Sequence, residues 1–477
     1  MKKTNNIILT VLLFLLVINT IIFAIQFNQL NFINNIIPLA INIILLIIIG
    51  SSIYFGYRCL FEFLKNKFII ILITIAILLN SILLTFNIFT NILDKAMVKI
   101  TNNNTVYSST IIVLKDSNIN SIDDLNNNKI GWSDNELDYE NYLLVHNILE
   151  KKDKLNNNEF YKYDDYLRAI NDLLNKNIDA LVISSSYLTL YSEYFEDINS
   201  KVKTITDNIE VVVKNEAEKK ATIKSSEEPF TILIIGADTL YGGYNADVQI
   251  LMTINPKTKK IVQVDVVRDT YTYNMDTKKM DKITHSGWAG SSNVVATVEN
   301  LFDVKIDYYI KLNFNSVVDL VNMMGGITID VPYTFHGDRF GTYVIYPGIR
   351  KLTGEETLML ARTRQMAGSN LQSRGRMQMK IIETVTKQID SDFIINNFFK
   401  LLDVAANNIE TNISKSDMYY YIQKYASIKN EFTFESNTLY GYNSSYYHEG
   451  MGKTLYTYVP DESSLSQLSN KLKDNLN

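Results

Sequence analysis

The sequence predicts an α/β protein held by three transmembrane helices, with a small α/β domain first and a larger domain of mixed β-sheet flanked by helices after it. Three observations predict this. Apolar runs at 7–25, 36–57 and 68–88 occupy the N-terminal part of the chain. Beyond residue 95, short apolar runs of strand character alternate with segments of helical spacing, the pattern of sheets covered by helices. A polar, charged stretch, 216–229, closes on Pro229 and divides that alternation in two. The expected organisation is a membrane domain at 1–94, an accessory domain at 95–215, a linker at 216–229 and a second domain with a C-terminal extension at 230–477.

Each apolar run is about 20 residues long, enough to cross a hydrocarbon core of about 30 Å as a helix. Each contains Asn or Thr and no charge. The first lacks a small-x-small cleavage pattern and two more runs follow it, so it reads as a retained anchor and not as a signal peptide. Lys2 and Lys3 precede the first run, and Arg58, Lys65 and Lys67 separate the second from the third. The link 26–35 carries no charge. The positive-inside rule then puts the N-terminus in the cytoplasm and the chain after about residue 94 outside the cell. The single cysteine, Cys59, falls at the cytoplasmic end of the second run, so no disulfide supports the exterior part. That part is long enough to fold by core burial.

In the accessory domain, 110–114, 129–132 and 178–183 read as strands and 166–174 as a helix. Residues 121–125 form a capping pattern before a short helix. Ser121-Ile122-Asp123-Asp124-Leu125, Lys129-Ile130-Gly131 and Asn177-Ile178-Asp179-Ala180-Leu181-Val182-Ile183 resemble about half of an extracellular solute-binding protein. Two roles stay open for the block: a spacer or interaction module, which the weak motifs favour, and a ligand-binding module.

In the second domain, 232–235 is a buried strand, and strands 247–254 and 260–267 flank the turn Asn255-Pro256-Lys257-Thr258. Helical spacing marks 293–302 and 314–324, with Gly325-Gly326 ending the second helix. A strand at 327–331 and a helix at 375–389, apolar along Met377, Ile381, Val385 and Ile389, follow.

The net charge is −5, from 46 basic and 51 acidic residues. Only nine residues are arginine, and Arg362, Arg364, Arg374 and Arg376 fall close together in a stretch, 362–380, without Asp or Glu. Arginine supplies a planar, permanent fork for phosphate or carboxylate. Placed outside the cell, the cluster has no nucleic acid to meet; a lipid-linked diphosphate suits it. Asp238 follows the first strand, Asp247 opens the next, and Arg268-Asp269 ends the third. Carboxylates at strand ends beside phosphate-binding arginines are the ingredients of a magnesium–diphosphate site. Arg362 and Arg364, two apart, share a side of an extended segment, and Arg374 and Gln378, four apart, share a helix face at a helix start. Taken singly, Asp238 and Asp247 also suit turns or caps, and Arg268-Asp269 a surface ion pair. The four histidines are scattered without metal-ligand spacing, and His285 reads as a satisfied or exposed side chain. No P-loop, nucleophile elbow or zinc signature occurs.

The residues also carry a family likeness. Phe230-Thr231-Ile232-Leu233-Ile234-Ile235-Gly236-Ala237-Asp238, Val267-Arg268-Asp269-Thr270-Tyr271, Asp281-Lys282-Ile283-Thr284, Leu352-Thr353-Gly354-Glu355-Glu356 and Ala361-Arg362-Thr363-Arg364 resemble the LytR-CpsA-Psr family in order and spacing. Three spans and an accessory domain are similar to its capsule-associated branch. The resemblance implies a Mg2+-dependent phosphotransferase outside a Gram-positive membrane, moving an anionic glycopolymer, capsular or teichoic-acid-like, from undecaprenyl diphosphate to peptidoglycan. It implies metal-side carboxylates at Asp238 and Asp247. It implies diphosphate contacts at Arg268, Arg362, Arg364, Arg374 and Gln378, with Lys282 as a further basic position. The acceptor of the hydroxyl proton stays open, with Asp238 and Asp247 as the candidates. One departure stands out: Ser369-Asn370-Leu371-Gln372-Ser373 lacks the acid the family usually carries before the helix arginine. That leaves a dispensable acid, a weaker enzyme, or a non-catalytic binder that regulates wall or capsule assembly.

Overall fold

The computed structural model describes the chain except residues 1, 29–35, 62, 102–103, 134–143, 164–165, 186, 192–193, 196, 208, 215–227, 238–242, 337–343, 363–370, 390, 415–416, 419–420, 422–431 and 449–452. Two compact units emerge: 1–101 with 394–406 and 413–429, and 102–393 with 407–412 and 430–477. Most of the expected linker, 216–227, lies outside the described residues.

In the first unit, helices α1 (Lys2–Asn28), α2 (Ile36–Leu60) and α3 (Asn66–Thr101) correspond to the three apolar runs. All three are long and apolar enough to cross a membrane. Their Asn and Thr residues pair across helices, as polar groups in an apolar medium must. Asn19 donates to Asn80 Oδ1 at 2.9 Å, Asn5 to Asn66 Oδ1 at 3.0 Å, and Thr90 to Gln26 Oε1 at 2.5 Å. Helix α3 outlasts its apolar run because the stripe continues: Leu93, Met97 and Ile100 pack with Leu402 of a later helix, Ser391–Asn408.

In the second unit, the accessory sheet runs β3-β2-β4-β1-β5, with β6 also on β1. Its strands are β1 (Asn104–Leu114), β2 (Lys129–Ser133), β3 (Glu159–Tyr163), β4 (Ala180–Ser184), β5 (Val202–Thr204) and β6 (Ile209–Lys214). Strands β2–β3 and β2–β4 are parallel, and β1 is antiparallel to its three partners. The expected helix Tyr166–Leu174 buries Leu167, Ile170 and Leu173 at three-residue spacing against the wholly buried β4. Each such side chain contributes about 1.5–3 kcal/mol by leaving water. The capping pattern forms as read, with Asp124 accepting the Ser121 N–H at 2.9 Å ahead of a single 3-10 turn.

The larger sheet includes β7 (Phe230–Ala237), β8 (Val248–Asn255) and β9 (Lys260–Val266), joined antiparallel. The expected turn closes β8–β9, with Asn255 Oδ1 accepting the Lys257 and Thr258 N–H groups at 3.1 and 3.2 Å. After the hairpin β10 (Tyr271–Asn274) and β11 (Lys279–Lys282), strand β12 (Tyr308–Asn313) joins β7 in parallel. Residues 409–411 and 433–438 complete a mixed sheet at its two edges. Helices Ser291–Phe302 and Glu462–Asp474 cover one core, around Leu233, Val264, Val298 and Phe302. A second core joins helix Phe314–Met323, strands Ile327–Val331 and Gly348–Leu352, and helices Gly354–Arg362 and Leu371–Gln388 through Val321, Ile329, Leu352, Leu360, Met377 and Ile381. It is this second core that sets where the arginine helices end and begin.

Candidate functional site

Asp247 and Arg268 meet at the open end of the β8–β9 ladder. Gln249 pairs with Val266, and two residues further out the same register brings Asp247 opposite Arg268. Arg268 Nη1 lies 2.8 Å from Asp247 Oδ1; the arginine side chain is 7% exposed and the carboxylate 25%. Asp247 is held there by its own N–H, which donates to Gly236 O at 3.0 Å. A Cβ on Gly236 would come within 2.7 Å of the Val248 Cβ, so this close strand end requires glycine.

The pair extends into a chain of alternating charge. Arg268 Nε lies 3.9 Å from Asp269 Oδ1, and Lys282 Nζ contacts the same oxygen at 3.1 Å. Lys282 reaches it from β11, where it faces Tyr271, and the Thr284 N–H donates to Arg268 O at 3.1 Å. The sequence alternative of a surface ion pair does not describe this arrangement, which is largely buried and crosses strands. Buried ion pairs add little net stability. Their value is preorganisation: cations already fixed and partly dehydrated need no rearrangement to meet an anion.

Arg374 closes the site from the other side, its Nη2 donating to Asp247 O at 2.9 Å. Its helix starts at Leu371, four residues before the expected start, and Arg374 sits in the first turn. One turn on, Gln378 donates to Ala361 O at 2.9 Å and so ties this helix to the residue before Arg362. Arg362 corrects an expectation. It ends helix Gly354–Arg362 and is not on an extended segment. Thr353 and Glu356 form a reciprocal cap at 3.2 and 2.8 Å, and Leu360 is fully buried, so helical geometry runs through Arg362 and the two-residue rule fails there. Asp238 and Arg364 lie outside the described residues, as do Ser369 and Asn370 of the stretch without acid.

Two further carboxylates, to which the sequence assigns no role, lie on the same elements. Asp265, in β9, lies against Gly375 between Arg374 and Arg376. Burial pushes its carboxyl up to about 7 while the two guanidinium groups pull it down. Its one sequence signal is an acid inside an otherwise buried strand. Asp281, the second group, faces His285 Nδ1 at 2.9 Å. Burial raises the Asp281 carboxyl, but the His285 ring and the hydrogen bonds from His285, Tyr446 and the Lys282 N–H outweigh it, so it lies below the usual range. His285 is satisfied and buried, as one of its two expected states has it.

Among the described residues no three His, Cys, Asp or Glu side chains gather to hold a metal ion. Asp247 does present a partly exposed hard-oxygen donor beside two cations, Arg268 and Arg374. That suits Mg2+ held mainly by diphosphate oxygens and water.

A family model described as the LytR_cpsA_psr family matches residues 192–474, beginning within the accessory domain. The chain is similar to the polyisoprenyl-teichoic acid–peptidoglycan teichoic acid transferase TagU of Bacillus licheniformis, 33% identical over 285 residues, covering 58% of this chain and 87% of the relative. The Bacillus subtilis protein of that name is 31% identical over 275 residues, covering 57% and 86%. The crystal structure of B. subtilis TagU is 32% identical, with 52% of this chain and 97% of that one covered and a TM-score of 0.41.

Proposed function

The chain belongs to the LytR-CpsA-Psr family, and on that premise we propose that it is a membrane-anchored transferase that moves an anionic glycopolymer from a polyprenyl diphosphate carrier to peptidoglycan. The observation that carries this reading is the convergence on Asp247, where Arg268 binds the carboxylate and Arg374 the carbonyl. Asp269 and Lys282 extend the same site. The polymer is of the teichoic-acid or capsular type. The N-terminus lies in the cytoplasm and the second unit faces the cell wall, in accord with the basic flanks of the apolar helices.

In this reading a peptidoglycan hydroxyl attacks the phosphorus next to the sugar. A new O–P bond forms, the bond to the bridging diphosphate oxygen breaks, and polyprenyl phosphate leaves with that oxygen. Arg268, Arg374 and Arg362 bind the diphosphate oxygens and offset the charge that grows on the leaving phosphate. Lys282 adds a cation at the Asp269 end. Asp247 or Asp238 takes the hydroxyl proton. Asp247, with Asp238, would hold Mg2+, which when bound supplies charge neutralisation at the diphosphate.

The test is Arg362→Ala with Arg364→Ala in the full chain. We expect polymer attachment to stop while the protein still reaches the membrane; normal wall-bound polymer in that variant refutes the assignment. The missing acid at 369–373 favours a second reading, a binder that retains lipid diphosphate without turnover. Purified protein given Mg2+, a polyprenyl-diphosphate-linked sugar and a peptidoglycan acceptor separates the two, since only an enzyme releases polyprenyl phosphate.

A further inference from the structure

Tyr194 of the accessory domain reaches the segments that carry the site. The Tyr194 hydroxyl is hydrogen-bonded to His285 Nε2. On its other side, His285 Nδ1 faces both Asp281 oxygens at 2.9 Å, and Asp281 also accepts from the Tyr446 hydroxyl at 2.6 Å and from the Lys282 N–H at 2.7 Å. A carboxylate only accepts, so it holds the proton on Nδ1 and turns Nε2 toward Tyr194. The imidazole is stacked on Trp288, with centroids 4.1 Å apart, and Tyr191 of the accessory domain meets Trp288 edge-on at 5.2 Å. Trp288 donates to Asn245 at 3.0 Å, and Lys453 donates to Tyr194 O at 2.6 Å.

These contacts fall on the segments that carry the site. Asn245 precedes Asp247 by two residues. Asp281 and His285 bracket Lys282. The segments are joined to one another, with the Thr284 N–H donating to Arg268 O and the Ala246 N–H to Thr284 O at 3.1 and 3.0 Å. The Tyr194 ring covers the Lys282 ammonium at 5.8 Å, and that lysine side chain is 6% exposed. A spacer needs only apolar contact. A hydrogen-bonded chain of Tyr194, His285, Asp281 and Tyr446, buried at its first two members and half-buried at the others, instead specifies one geometry.

We propose that Tyr194 is a positioning residue: through His285 and Asp281 it holds Lys282 on Asp269, and so keeps the cationic site assembled for a phosphate-bearing ligand. This deepens the transferase reading and rests on it for the ligand class. The accessory domain is then a working part of the site.

The experiment compares full-length protein in detergent with its Tyr194→Phe and Tyr194→Ala variants. Tyr161→Ala, at an exposed tyrosine of β3, is the control. Two quantities are read: affinity for geranylgeranyl diphosphate, and the rate at which an amine-acylating reagent labels Lys282, followed by mass spectrometry of the digested chain. Tyr194→Phe keeps the ring but loses the hydroxyl, and should weaken diphosphate binding about threefold to tenfold and lower the melting temperature by only a few degrees. Tyr194→Ala should weaken it further and speed Lys282 labelling about tenfold or more. Tyr161→Ala should change neither. Wild-type affinity and labelling in a folded Tyr194→Phe protein overturn the proposal, as does an equal loss in the control. Should the wild type not bind the diphosphate, the transferase reading fails by itself, and Lys282 labelling alone decides the positioning role.

Discussion

The carboxylate of Asp265 lies directly against Gly375, so closely that a Cβ on the glycine would fall 1.7 Å from Asp265 Oδ2. Strand β9 delivers the acid and the arginine helix delivers the glycine, with Arg374 and Arg376 on either side in the chain. The segment just before Arg374 has no acid, and β9 brings one to the same helix from a hundred residues upstream. Gly375→Ala should therefore push helix and sheet apart, cost about 1–3 kcal/mol and loosen Arg374 from the Asp247 carbonyl. Thermal unfolding and diphosphate affinity measure this. Adding Asp265→Ser should recover part of the loss, because the two sites are in contact; strictly additive effects would contradict the geometry.

Asp265 also predicts a pH dependence. Its folded value of about 7 stands above its ordinary 3.8. Between these values the folded chain keeps a proton that the unfolded chain has released. Its contribution is fully present below the ordinary value and falls by about 1.4 kcal/mol per pH unit up to the folded value. Asp265→Asn, neutral at every pH, should gain on the parent as pH rises from about 4 to about 8. Melting curves across that range check it, and parallel pH profiles would count against a raised carboxyl.

Arg268 binds one carboxylate through Nη1 and approaches a second through Nε. Arg268→Lys keeps the charge but replaces the fork by a point, so it should retain most of the stability and lose about tenfold or more in diphosphate affinity. Arg268→Ala removes the cation that Asp247 and Asp269 share and should cost a few kcal/mol, less than a fully buried pair because Asp247 is partly exposed and Asp269 keeps Lys282. Calorimetric titration together with unfolding separates these effects. Equal affinity for the Lys variant would mean that charge alone is used.

Lys311, 1% exposed, is bonded to Glu410 Oε2 at 2.8 Å and lies 4.0 Å from the centre of the Tyr244 ring. Glu410 also accepts from Ser291 at 2.6 Å and Tyr309 at 3.2 Å. Lys311→Met should destabilise by about 3–5 kcal/mol, because it strands the carboxylate. Lys311→Met with Glu410→Gln should lose less than the single change. Denaturant unfolding of the two proteins decides it, and a double variant no more stable than the single would show that the stranded carboxylate is not the source of the loss.

Much of this site is legible in the sequence. Asp247 and Arg268 were marked by falling at the ends of strands whose alternation and turn, Asn255-Pro256, are local signals. Arg374 and Gln378 were marked by helical spacing. Arg362 departs from its expectation because a two-residue spacing has meaning only if the segment is extended, and the cap at Thr353 and the burial of Leu360 carry a helix through it. Asp265 is not legible in the sequence because a lone acid in a strand looks the same whether it faces solvent or a helix.

By itself the sequence determined the three apolar helices, the order of strands and helices, the arginine cluster and the family. Each is written in nearest-neighbour spacing and composition, which a chain expresses without knowing its distant contacts. The tertiary structure alone decided that Arg268 turns to Asp247 while Lys282 takes Asp269, that Asp265 backs Gly375, and that Tyr194 reaches His285 across ninety-one residues of chain. Those choices follow from sheet register and burial, which set the cost of leaving a charge without a partner and so fix which partner it takes.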